Sequence, residues 1–264
     1  MADDRVVVVT GAATGVGLAC ARRFSRDGAR LVIADINEDA GEEVAAELGG
    51  GSDTALFVRC DVADRLDVRN LMAETLSAFG RVDVLVNSAE IVASGDIFEL
   101  SEDNLDRVVG TNLNGAFLVG QAVARRIREQ IVADDERLDD ARRRYAIINI
   151  SSVSGVFAMP EHLALAVSVA GVNQLTRSMA LALARIGVRV NAVAPGVLNT
   201  NGYDALTDDP EKLKALSARP PLGRAVDADE VAGMAAFLAS GDAGSVTGQI
   251  IAVDGGQLAL GPSV

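Results

Sequence analysis

The span Thr10-Gly11-Ala12-Ala13-Thr14-Gly15-Val16-Gly17 is the first place in this chain where residue type and spacing suggest chemistry. Glycines in such a turn let the backbone approach a pyrophosphate, whose charge then meets the free N–H groups of a helix start. A glycine-rich turn alone is a weak signal, because tight turns need glycine for steric reasons. Here it directly follows a β-branched run and opens a helical pattern, which strengthens the nucleotide reading. Asp35 stands 20 positions after Gly15, where a carboxylate accepts hydrogen bonds from a ribose 2′-hydroxyl and repels a 2′-phosphate. Neither Thr14 nor Ile36 offers a cation to such a phosphate, so the pattern favours NAD over NADP. The competing reading of Asp35 is an N-cap for the helix that follows.

Acid–base groups are scarce. His162 is the one histidine, Tyr145 and Tyr203 are the only tyrosines, and there is no tryptophan. A His-rich zinc site is excluded, and Cys20 and Cys60 lack CxxC spacing, so no metal site is expected. The two cysteines read as buried small hydrophobes in a reducing, cytoplasmic compartment. Without a base beside it, Ser152 is not an activated nucleophile; Ser151 and Ser154 read as groups satisfying local backbone.

These residues must be positioned by an alternation of short apolar runs and longer amphipathic stretches. Strands are predicted at 5–9, 31–34, 55–59, 82–86, 146–150, 188–193 and 250–253, apolar on both sides as strands covered on both faces should be. Helical spacing fills 16–26, 38–48, 68–79, 105–128, 162–186 and 230–238. The alternation predicts an α/β fold, one Rossmann-type doubly wound parallel sheet spanning 1–264 as a single domain. The densely charged stretch 128–144 reads as a solvated helix extension, with a partner-binding surface as the alternative. Residues 199–224, with Pro210, Pro220 and Pro221, read as a substrate flap after a strand.

Length and charge bound the rest. A chain of 264 residues buries a sufficient core without disulfide or metal staples. The formal charge of −13 argues against nucleic-acid or anionic-membrane partners. No apolar run reaches membrane-spanning length, and the start, MADDRVVVVTG, has no leader-like apolar region.

With these segments in place the chain resembles the short-chain dehydrogenase/reductase family over nearly its whole length. The residues that carry the resemblance are TGAATGVG at 10–17, Asp61-Val62, Asn87-Ser88-Ala89, Asn112 in TNLNG, and ISSVSG at 150–155. AGVNQLTRSMALALA at 170–184, RVNAVAPGVLNT at 189–200 and TGQIIAVDGG at 247–256 complete it. The resemblance implies a sheet of order 3-2-1-4-5-6-7 and an NAD-type site. Its contacts would come from Gly11, Thr14, Gly15, Val16, Gly17, Asp35, Asp61, Val62, Asn87, Pro195, Gly196 and Thr200. It further implies homodimers or homotetramers built on the two long helices, and oxidoreduction of a small alcohol or ketone.

The family's catalytic set is Asn-Ser-Tyr-Lys, in which an adjacent Lys brings the Tyr pKa down from about 10 so that it works near neutrality. Asn112 and Ser152 occupy their positions, but the Tyr position, 13 residues after the Ser, is Leu165, and the Lys position is Val169. Neither carries a proton. The family turn Asn-Asn-Ala-Gly reads Asn87-Ser88-Ala89-Glu90, placing a carboxylate where glycine faces the cofactor. Glu90 either crowds a dinucleotide, acts as an acid/base raised in pKa by burial, or simply turns to solvent. His162 lies three positions before Leu165 and is a stand-in for the missing acid, or a helix-start histidine with no role. Tyr203 reads as a flap residue over the pocket and Tyr145 as structural. Three readings follow: an NAD-dependent oxidoreductase with an atypical site; a non-redox lyase, isomerase, cyclase or dehydratase using Asn112, Ser152, His162 and Glu90; and a non-catalytic subunit paired with an active relative.

Overall fold

The computed structural model describes residues 4–49, 54–199 and 220–260. Seven strands form one parallel sheet: β1 (Val6–Thr10), β2 (Arg30–Asp35), β3 (Ala55–Arg59), β4 (Val84–Asn87), β5 (Ala146–Ile150), β6 (Arg189–Pro195) and β7 (Ile250–Val253). Their order is β3-β2-β1-β4-β5-β6-β7, as expected. Helices α1 (Gly15–Arg26), α2 (Glu38–Gly49), α3 (Arg65–Phe79), α4 (Glu102–Val109) and α5 (Ala116–Ala133) alternate with the first strands. They are followed by α6 (Leu138–Arg144), α7 (Leu163–Leu183) and α8 (Ala228–Ala239).

All five residues of β1 are buried because helices cover both faces. Val7 and Val9 join Leu31, Ile33 and Val86 under α1 and α8. Val6 and Val8 point to the other side, with Val32, Leu85 and Ile147 under α3 and α5. The chain leaves β1 toward β2 and β3, then returns to β4 on the opposite side. That reversal opens a crevice at the C-terminal ends of β1 and β4, where Thr10 pairs with Asn87.

Two stretches differ from expectation. The helix predicted over 105–128 is broken by a wider π-helical turn, Gly110–Gly115, between α4 and α5. Inside it, Gly115 packs against Val62 with no room for a Cβ. The charged stretch 128–144 is not a free extension, because α5 ends at Ala133 and α6 folds back. Ala141 is fully buried, Arg144 Nε donates to Asp83 Oδ1 at 2.7 Å, and Arg189 Nε donates to the Arg142 carbonyl at 2.7 Å. Buried Asp83 also accepts from Val6 N–H at 2.8 Å and Arg81 Nε at 2.9 Å. Tyr145 is buried and its hydroxyl donates to Glu136 at 2.7 Å. The stretch therefore clamps the N-terminal ends of β1, β4, β5 and β6, opposite the crevice.

Candidate functional site

The crevice holds a cleft of about 1380 Å³ running from the glycine turn across the ends of the central strands. At one end the turn after β1 enters α1. Gly15 has φ +56°, and a Cβ there would meet nothing within 4 Å, so the turn opens onto free space. Gly17, by contrast, presses on the Gly11 carbonyl, and a Cβ on Gly11 would lie 2.7 Å from the Ala89 Cα. Thr14 makes no side-chain cap and α1 has no acidic residue in its first turn, so its N-terminal N–H groups are left to an anion. An unblocked helix start beside an open glycine is what a pyrophosphate fits.

Asp35, at the end of β2, accepts from Ala13 N–H at 2.9 Å and Asn37 N–H at 3.0 Å. The cap of α2 is Asn37, whose Oδ1 accepts from Ala40 N–H at 3.2 Å. The carboxylate thus ties β2 to the glycine turn, lines the cleft and keeps acceptor capacity, since a carboxylate takes about four hydrogen bonds. Asp61 and Val62 line the same end, beside buried Cys60. Burial pushes both thiols, Cys20 and Cys60, up to about 12, so neither is reactive. Pro195 and Gly196 line the cleft from the end of β6. Thr200 and Tyr203, and the flap apart from Asn199 and residues 220–224, lie outside the described residues.

Asn87 and Asn112 stand behind the wall rather than on it. Asn87 Nδ2 donates to the Ala116 carbonyl at 3.2 Å and to Asn149 Oδ1 at 2.9 Å, and Asn149 passes the link to Thr176. Asn112 accepts from Ile91 N–H at 2.9 Å, donates to the Ile91 carbonyl at 3.0 Å, and reaches Ser168 Oγ at 3.1 Å. It therefore fastens the segment after β4, which carries Glu90, to α7. The π-helical turn is what aims this side chain inward.

Ser152, Glu90, His162 and Leu165 do reach the cleft. The Ser152 hydroxyl is engaged, donating to Ser154 Oγ at 3.0 Å and accepting from Ser154 N–H at 3.1 Å. Ser154 in turn contacts Met159 Sδ at 3.0 Å. His162, at the start of α7, is buried, and its Nδ1 has no partner among the described residues. Protonation would strand a charged N–H there, and burial accordingly lowers its pKa. A neutral imidazole of this kind is a poor proton donor. Leu165 lies on the wall at 5% exposure and Val169 is fully buried behind it. Glu90 is the opposite case to His162. Its side chain is exposed onto the cleft, yet dense protein around it pushes its pKa up to about 7 by desolvation. Its carboxylate has no hydrogen bond or ion pair among the described residues. Arg107 of α4 and Gln257 also line the cleft. Neither carried a sequence signal, because only the folding of α4 and of the chain after β7 brings them there.

A seven-stranded parallel sheet with a glycine-turn cleft at its reversal defines a Rossmann-type α/β protein. The family described as Enoyl-(Acyl carrier protein) reductase matches residues 11–257. L-rhamnose 1-dehydrogenase (NAD(P)(+)) of Azotobacter vinelandii is 40% identical over 259 residues, 96% of each chain. Cis-4-hydroxycyclohexanecarboxylate dehydrogenase of Sinomonas cyclohexanicum is 40% identical over 258 residues, 97% of this chain and 98% of its own. A short-chain type dehydrogenase/reductase from Mycobacterium marinum shares the fold with TM-score 0.85 and 31% identity, covering 97% and 96% of the two chains. The chain belongs to the short-chain dehydrogenase/reductase family, oxidoreductases that act on small molecules with NAD(P). Among the described residues no helix is long and apolar enough to cross a membrane.

Proposed function

We propose that this chain binds an NAD-type dinucleotide in preference to NADP and acts on a small molecule in the same cleft. In this reading the Tyr–Lys alcohol and carbonyl chemistry of its family is absent or strongly reduced. One observation carries the second part: aliphatic Leu165 on the cleft wall and fully buried Val169 stand where the proton carrier and its cation would be. The adenosine half of the cleft supports the first part, through the open Gly15 turn, the unblocked start of α1 and the Asp35 carboxylate. A bound nicotinamide would supply a hydride acceptor or donor. The chain's own residues bind and orient: Asp35 receives ribose hydroxyls, the α1 N–H groups hold the pyrophosphate, and Ser152 and Glu90 face the small molecule. Loss of the Lys contacts weakens dinucleotide binding by about 1–3 kcal/mol, the ordinary value for charged hydrogen bonds.

A second reading, non-redox chemistry in the same pocket, is favoured by Glu90, because a carboxyl ionising near neutrality matches general acid–base work. Assembly as a homodimer or homotetramer through α5 and α7, or with an active relative, is supported by exposed Phe117, Val167 and Leu181 on those helices. A cytoplasmic setting is supported by two free, buried thiols. Calorimetric titration of NADH and NADPH tests the core of the proposal. Micromolar NADH with weaker NADPH is expected; heat from neither would leave the cleft to cofactor-free chemistry or to a partner role.

A further inference from the structure

The family's proton machinery combines a phenol with an ammonium, and the two positions that would carry them are Leu165 and Val169 in this chain. The cleft has a carboxylate instead. Glu90 follows β4 and lines the cleft, exposed onto it and without a hydrogen bond or an ion pair within 4.0 Å among the described residues. Apolar Ile91, Val92, Leu165 and Phe157 line the same cleft. Asn112 and Ser168 fasten Ile91, so the carboxylate's backbone cannot drift to relieve its position. The charged groups facing the cleft from its other elements are Asp35 after β2, Asp61 after β3, Glu161 before α7 and Arg107 of α4, with His162 neutral. Among the described residues carboxylates thus outnumber cations in the cleft, with Arg107 the one cationic side chain on its lining. Val169 adds no ammonium.

We propose that the inner cleft is a binding site for a cationic nitrogen, an ammonium or iminium group, on an otherwise apolar ligand, with the Glu90 carboxylate as its partner. This rests on the small-molecule reading above and narrows its substrate class from alcohols and ketones to amines or imines. A carboxylate in a partly desolvated cleft with no partner of its own is stabilised by a ligand cation where a neutral alcohol offers it no charge. The raised pKa of Glu90 is the cost of that desolvation seen in the absence of the cation.

The test is titration calorimetry of the full chain, with and without NADH, using cyclohexylammonium, cyclohexanol and cyclohexanecarboxylate as probes. At about pH 8 the ammonium should bind roughly tenfold or more tighter than the alcohol, the range of a charge-assisted hydrogen bond. The preference should shrink toward about pH 6, as Glu90 takes up a proton, and vanish in Glu90→Gln. Equal binding of ammonium and alcohol by the parent protein, or tighter binding of the carboxylate, would overturn the assignment without any variant being made. Loss of the preference in Glu161→Gln, with Glu90→Gln unchanged, would overturn it too by moving the cation to the rim. NADH heats measured in the same series report separately on the dinucleotide reading, so the two can fail independently.

Discussion

Introducing the family's pair, Leu165→Tyr with Val169→Lys, is the sharpest test of the proposal that this chain departs from its family's chemistry. Leu165 already lies on the cleft wall at 5% exposure, so a Tyr ring there can extend into open volume. Val169 is harder. It is fully buried, so a longer side chain must displace packed neighbours to bring its ammonium to the cleft, and overpacking of this sort costs about 1–3 kcal/mol. At about 2–4 °C per kcal/mol for a chain of this size, the double variant should melt roughly 2–12 °C below the parent. In return, a positioned general acid is worth about 10²–10⁴-fold in rate. The assay is nicotinamide absorbance with a panel of small ketones and secondary alcohols, reported as kcat/KM. We expect little turnover from the parent and little from Leu165→Tyr alone, since a phenol without its cation stays near its ordinary pKa of about 10. The double variant should gain at least about 100-fold. Ordinary turnover by the parent would refute the claim that this chemistry is lost. A double variant that folds, binds NADH and still gains nothing would show that the pocket itself, not the two missing groups, blocks the reaction.

Further perturbations follow from the same geometry. Asp35→Ala removes the acceptor for ribose hydroxyls and should weaken NADH binding about tenfold while narrowing its margin over NADPH, measured by calorimetry. Asp83→Asn strips the charge from a buried carboxylate that holds Arg81, Arg144 and the start of β1. It should cost about 3 kcal/mol in urea unfolding, the low end for a buried pair because both guanidiniums are about a quarter exposed. Asn112→Ala orphans both backbone groups of Ile91 and should cost about 1–3 kcal/mol. Glu90 gives a pH signature. Its folded pKa lies above the ordinary 4.5, at about 7, so the native state holds the extra proton and stability is lost as pH rises through that window. Melting of the parent relative to Glu90→Gln should therefore fall between about pH 4.5 and pH 7; a difference that is flat with pH would show that the carboxyl is not desolvated.

Much of this protein was legible along the chain. Runs such as VVVVT, apolar on every residue, identify strands covered on both faces, and the alternation with helices predicts the parallel sheet whose order the structure shows. The glycine turn was equally plain, because conformational freedom at Gly15 and close packing at Gly17 leave no alternative residue. The aliphatic residues at 165 and 169 need only counting from Ser152. Other features depended on contacts between distant residues. Periodicity ran a single helix through 105–128, whereas the structure places a π-helical turn at Gly110–Gly115, and from that turn Asn112 bonds to Ile91. Local charge made 128–144 look like a solvated extension of one helix; most of it is exposed, but α6 folds back, and Arg144 pairs with Asp83 while the Arg142 carbonyl accepts from Arg189, partners tens of residues away. Asp35 and Asn37 are both competent caps by type; backbone geometry gives the cap to Asn37 and leaves Asp35 facing the cleft. His162 and Glu90 were both candidate acid–base groups on paper. Burial leaves His162 Nδ1 without a partner among the described residues and lowers its pKa, while desolvation raises that of Glu90 to about 7, because a pKa is a property of surroundings that sequence neighbours do not supply.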